Sequence, residues 1–194
     1  MKLSFSTRGW RSLPWKQQVL EASEMRFNGI EVYNLHQCSF LTDRSGAFHL
    51  YHQHETLRDL ADHSLTIPCF DTSVDLSEPL PDLPAVIQLI DTAGNMHVPY
   101  VAFCALQDRE DMVRENLSEL LPAAQSKGVT LLLKSTGIYA NTIRLRDLMD
   151  SYACDELAAL WDMHHPFRDF QESPDSTIRN LRGYVRHVRL RDSG

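Results

Sequence analysis

The chain lacks a CxxC pair: its four cysteines, Cys38, Cys69, Cys104 and Cys154, are scattered along the sequence. That removes the usual zinc and redox motifs and leaves buried free thiols as their expected state. No GxGxxG or GxxxxGK[ST] loop follows any apolar run, so the phosphate cradle of an open nucleotide-binding sheet is missing. No apolar run approaches the roughly 20 residues needed to cross a bilayer. The opening MKLSFSTRGW has no basic segment leading into an apolar one, so a cytoplasmic protein without a membrane partner is expected. Positive charge is also short, with 19 Lys and Arg against 26 Asp and Glu for a net charge of −7. That balance argues against nucleic acid as a partner.

What the chain does have is alternation. Its 194 residues, 43% hydrophobic, suffice for one core, and a single domain over 1–194 is expected. Strand-like runs over 3–7, 29–35, 65–71, 100–106, 129–135, 157–163 and 185–192 are separated by helix-period segments over 15–25, 55–63, 85–96, 110–127, 142–151 and 176–184. Repeated strand-then-helix order predicts parallel strands joined by right-handed crossovers. Pro84 just before the third helix and Lys127-Gly128 at the end of the fourth are a start and a stop signal.

Most of these runs end in charge or imidazole: Arg8; Glu31 and His36; Asp71 and Asp75; Lys134; Asp162, His164 and His165; Arg189, Arg191 and Asp192. In a β/α barrel such groups converge on one mouth, at the strand C-termini, where barrel active sites lie. The fold expected is therefore α/β, a TIM-type (β/α) barrel of about seven strands and six helices. In the last run, alternation sets Val188 and Leu190 on one face and His187, Arg189 and Arg191 on the other.

Together, KLSFST near the start, FNGIEVYN over 27–34, GVTLLLKSTGIYANTIRLRDLM over 128–149, WDMHH over 161–165 and YVRHVRLRDS over 184–193 resemble the xylose isomerase-like barrels, which include sugar phosphate isomerases, ketose 3-epimerases and endonuclease IV-type nucleases. The resemblance runs over essentially the whole chain, each motif weak alone and fairly specific in this order and spacing. It implies an isomerase or epimerase ancestry in carbohydrate metabolism, with a sugar or sugar phosphate as small-molecule partner. It also implies that the chain is the N-terminal part of a longer barrel, completed by a missing C-terminal segment or by homo-oligomerisation, since an eighth strand would follow RLRDSG.

The resemblance further implies a divalent metal (Mn, Mg or Zn) held by a Glu ending strand five, the Asp of Asp-x-x-His, a His on strand seven and a Glu on strand eight. Carried over, those positions hold Lys134, Asp162 and Arg189, with His165 as the companion histidine. Asp162 is the one metal ligand that remains, should a metal bind at all. Lys134 and Arg189 against Asp162 sum to about +1 where the usual set carries about −3, and a nearby like charge repels a divalent ion by several kcal/mol at an effective dielectric near 20. No cofactor is therefore expected.

Three readings follow. Lys134 and Arg189 neutralise Asp162 in a structural barrel without chemistry. Alternatively, the pocket binds a carbohydrate or anion without turning it over, with Arg189 and Lys134 as donors. Finally, Lys134, with Asp162 and His165, is catalytic, the lysine forming a Schiff base with a carbonyl substrate. In the last two, His164, Arg189, Arg191, Glu31 and His36 are the substrate-binding candidates. The histidines His49, His52, His54 and His63 read as a solvated helix face.

Overall fold

The computed structural model describes residues 1–10, 12–35, 44–80 and 82–190. Among them lie seven strands: β1 (Ser4–Ser6), β2 (Gly29–Tyr33), β3 (Cys69–Asp75), β4 (Tyr100–Cys104), β5 (Thr130–Lys134), β6 (Leu157–Asp162) and β7 (Val185–Arg189). The α-helices are α1 (Trp15–Glu24), α2 (Gln53–Asp62), α3 (Leu83–Asn95), α4 (Glu110–Lys127), α5 (Thr142–Tyr152), α6 (His164–Phe170) and α7 (Pro174–Leu181). The strands form one sheet in chain order, and the ladders from β1 through β3 and from β5 through β7 are all parallel. Consecutive neighbours in a parallel sheet are what repeated βα units produce.

Two elements depart from the sequence expectation. The run expected over 65–71 pairs instead as Cys69–Asp75. Pro68 has no N–H to give a ladder, so only an isolated bridge from Gly29 to Thr66 forms ahead of it. The second is α6, a seventh helix among the described residues where six were expected. It begins directly after β6, and its seven residues, with Pro166 among them, are too few to show a helical period.

The residues divide into two compact units, Met1–Thr72 with Pro84–Val101, and Ser73–Leu83 with Ala102–Gly194. In the first, α1 and α2 bury Val19, Ala22 and Leu60, and Ile30, Val32 and Phe70 of the sheet are buried with them. Gln18 ties the turn before α1 by donating to the carbonyls of Trp10 and Leu13. In the second unit, all six residues of β6 are buried, as a parallel strand covered on both faces should be. Gly128 ends α4 in the left-handed region at φ 64°, a conformation that suits glycine, and β5 follows at once.

β7 differs from β6. His187 and Arg189 are half-buried, whereas Val188 and Leu190 are 45% and 73% exposed. Val188 and Leu190 thus lie on the open side of the strand together with Arg186, and His187 and Arg189 on the half-buried side together with Val185.

Candidate functional site

The second unit gathers the candidate residues at the ends of three adjacent strands. Lys134 is the Cα partner of Leu160, and Asp162 is the partner of Arg189. Partners in a parallel ladder face the same side, and so do residues two apart. Lys134, Leu160, Asp162, His187 and Arg189 therefore share one side of the sheet. Burial there is deep: Lys134 is 6% exposed and Asp162 is 0% exposed. A carboxylate and an ammonium can be held at such depth only with partners, because desolvation of an isolated charge costs far more than a fold can spare.

Backbone chemistry fixes these strand ends. The Ser135 hydroxyl accepts from the Asp162 N–H at 2.9 Å and donates to the Asp162 carbonyl at 3.2 Å, so one small side chain clasps β5 to β6. The Met163 N–H donates to the Arg189 carbonyl at 3.1 Å, carrying the tie on to β7. Beyond β5 the chain turns sharply: the Thr136 N–H reaches the Lys134 carbonyl at 2.7 Å, and the Ile138 N–H reaches the Ala105 carbonyl at 3.0 Å. Gly137 sits between them at φ 59°.

After β6, the His164 N–H donates to Asp162 Oδ1 at 3.3 Å as α6 begins. His164 and His165 lie edge to face, their ring centroids 5.5 Å apart. His165 Nδ1 is 3.0 Å from Arg168 Nη2 and 3.3 Å from Asp169 Oδ2.

An ion cluster braces the starts of α4 and α5. Arg144 reaches Glu110 at 2.8 Å and Asp108 at 2.7 Å, and Arg114 reaches Glu110 at 2.8 Å. Burial pushes the Glu110 carboxyl up, but the hydrogen bonds from Arg144 and then Arg114 outweigh it and hold the group below its ordinary range. Tyr139, fully buried nearby in chain order, has its hydroxyl pushed well above the ordinary phenol range, chiefly by that burial.

The other candidates are placed as follows. Glu31 lies in β2 of the first unit, buried and partnered in register with Ser6. His36 and Arg191 fall outside the described residues. His52 engages the Arg44 carbonyl and Glu55, and His63 engages Asp59, local contacts at the two ends of α2. A surface cavity of about 710 Å³ beside that helix is lined by Trp15, Lys16, His52, Glu55, Arg58 and Asp59 among others, its ionic side chains already paired in part, as Lys16 with Glu55 at 3.6 Å.

Asp162 is the single carboxylate among the carried-over positions, with Lys134 and Arg189 on its own side of the sheet. Among the described residues no group of three or more His, Cys, Asp or Glu side chains comes together as a metal cage, and hard divalent ions need several oxygen or imidazole donors. Sequence reasoning missed Ser135, Gly137, Arg168 and Asp169. The signal for the last was present, since His165 and Asp169 stand four apart and share a face once 164–170 is helical.

By sequence, the chain matches no family model and no curated protein. Its structure matches solved ones over nearly all its length. The 3-keto-D-glucoside 4-epimerase of E. coli is similar at 12% identity, with 99% of this chain and 79% of that one covered and a TM-score of 0.79. A xylose isomerase-like TIM barrel protein of Mycobacterium smegmatis, in complex with magnesium, is similar at 15% identity, covering 97% and 74%, with a TM-score of 0.75. Endonuclease IV of Thermus thermophilus is similar at 17% identity, covering 96% and 74%, with a TM-score of 0.67. The chain has the fold of the xylose isomerase-like TIM barrel proteins.

Proposed function

We propose that the ends of β5, β6 and β7 form a binding site for a sugar, a polyol or a sugar phosphate, in which fixed cations stand at positions where the family resemblance implies metal ligands. The observation that carries this is the register: Lys134, Asp162 and Arg189 share one side of three adjacent strand ends. Arg189 presents a planar fork suited to phosphate or a vicinal diol, and Lys134 a compact donor. Asp162 supplies an acceptor for a hydroxyl, with His165 close behind it in the chain. The epimerase among the similar structures supports a sugar as ligand.

Two activities fall within this reading. In one, the site binds its ligand and no reaction follows. In the other, Lys134 and Arg189 stabilise negative charge developing on a carbonyl oxygen in isomerase- or epimerase-type chemistry, as preorganised donors do. A thermal-shift screen of free and phosphorylated ketoses separates these from a purely structural domain. Ligand-dependent stabilisation that is lost in Arg189→Met supports the site, and no stabilisation by any of them refutes it. Turnover of the stabilising compound, followed by NMR, then distinguishes catalysis from binding alone.

A further inference from the structure

The contacts around His165 assign the state of its ring. Arg168 donates through Nε to Asp169 Oδ1 at 2.5 Å and through Nη2 to Asp169 Oδ2 at 3.0 Å. Nη2 carries two hydrogens, and its second one faces His165 Nδ1 at 3.0 Å. Asp169 Oδ2 lies farther off, 3.3 Å from the same nitrogen. One ring nitrogen cannot serve both neighbours in the same way. With a proton on Nδ1, the guanidinium N–H would meet another N–H head on. Without it, every hydrogen of this fork finds an acceptor: two go to the carboxylate and one to the imidazole lone pair. The guanidinium stays charged under all ordinary conditions, so it sets the choice. Asp169 is an anion whose carboxyl the hydrogen bond from Arg168 holds below the ordinary carboxylate range, and it keeps the guanidinium in place.

We propose that the Arg168–Asp169 pair is a positioning element that locks neutral His165 as the Nε2–H tautomer, so that this histidine presents a hydrogen-bond donor, rather than a base, at Nε2. A neutral imidazole N–H of this kind polarises a carbonyl or hydroxyl oxygen of a ligand without bringing in a further full charge. The donor role toward a sugar oxygen rests on the function proposed above, but the tautomer does not, and the two fail separately. Arg168 stands between His165 and the opposite state: if its N–H leaves Nδ1, that nitrogen can carry the proton toward Asp169, and Nε2 becomes the acceptor.

The test is two-bond ¹H–¹⁵N correlation NMR of the imidazole rings in the full ligand-free chain, at a pH where His165 is neutral, with His165 assigned from the signals lost in His165→Gln. The expected spectrum has Nδ1 as the unprotonated nitrogen and Nε2 as the protonated one. In Arg168→Met the assignment should invert, with Nδ1 protonated. Arg168 is more than half exposed, so this variant should fold, and the wild-type spectrum decides the tautomer even if it does not. Protonated Nδ1 in the wild type overturns the proposal, as does an unchanged tautomer in a folded Arg168→Met chain. Loss of sugar-dependent thermal stabilisation without these changes bears on the proposed function instead.

Discussion

Replacing Gly137 by alanine should cost far more than the same change at Gly128, although both glycines have nearly the same backbone conformation. Their φ angles are 59° and 64°, and an L-residue in that left-handed region costs about 1–2 kcal/mol. What differs is the surroundings. A Cβ at Gly128 meets nothing within 4 Å, whereas at Gly137 it would stand 2.1 Å from the Ala105 carbonyl oxygen and 2.8 Å from the Leu106 Cα. Both are backbone atoms, which cannot swing aside as a flexible side chain can, and overpacking of that kind costs about 1–3 kcal/mol. Moving the turn outward would also break the bond from the Ile138 N–H to Ala105, about 1 kcal/mol more. The expected losses are therefore about 1–2 kcal/mol for Gly128→Ala and about 3–6 kcal/mol for Gly137→Ala, a fraction of total stability large enough to leave the latter partly unfolded at 25 °C. Urea unfolding followed by circular dichroism reads both, provided the slope stays constant. Equal losses in the two variants would refute the claim that the chain passing over Ala105 fixes the turn after β5, and with it the account of how Lys134 is held.

Two further outcomes concern the same unit. Ser135→Ala strips the buried Asp162 N–H and C=O of their shared partner, which should lower stability by about 1–3 kcal/mol, while Ser135→Thr loses less if the added methyl is accommodated; unfolding midpoints within error of the wild type for the alanine variant would show that water replaces the hydroxyl. Glu110 has its acidity raised in the folded chain, so its stabilising contribution is present at neutral pH, above the value it has when unfolded, and is lost as pH falls through the lower folded value. The acid limb of the stability–pH profile should therefore flatten in Glu110→Gln; an unchanged limb would mean that the bonds from Arg144 and Arg114 add nothing.

Much of the architecture was legible because parallel βα units leave a plain signature. Buried runs such as Leu131–Leu133 and Ala158–Leu160 are continuous and apolar, and the helices between them keep their own period. Where the signature failed, a local rule had been overridden: Pro68 pushed the β3 ladder past the apolar run at 65–67, and Pro166 with two histidines disguised α6. At the site, strand parity placed Lys134, Asp162 and Arg189 on one side, as their positions in the last three strands suggested. Ser135 and Gly137 could not be read in the same way. Their roles come from Asp162 and Ala105, which the fold brings to them from elsewhere in the chain, and nothing in KSTG states that in advance. Asp169 was readable in principle from its spacing to His165, but only once the segment was known to be a helix.

Isothermal titration of fructose 6-phosphate into the full chain in EDTA-containing buffer decides whether fixed cations rather than a metal serve this site. Binding should persist in EDTA and weaken about 10- to 100-fold in Arg189→Met, the effect of losing a charge-assisted hydrogen bond worth about 1.5–3 kcal/mol. Binding that appears only when a divalent ion is added, or that is indifferent to the loss of Arg189, would contradict it.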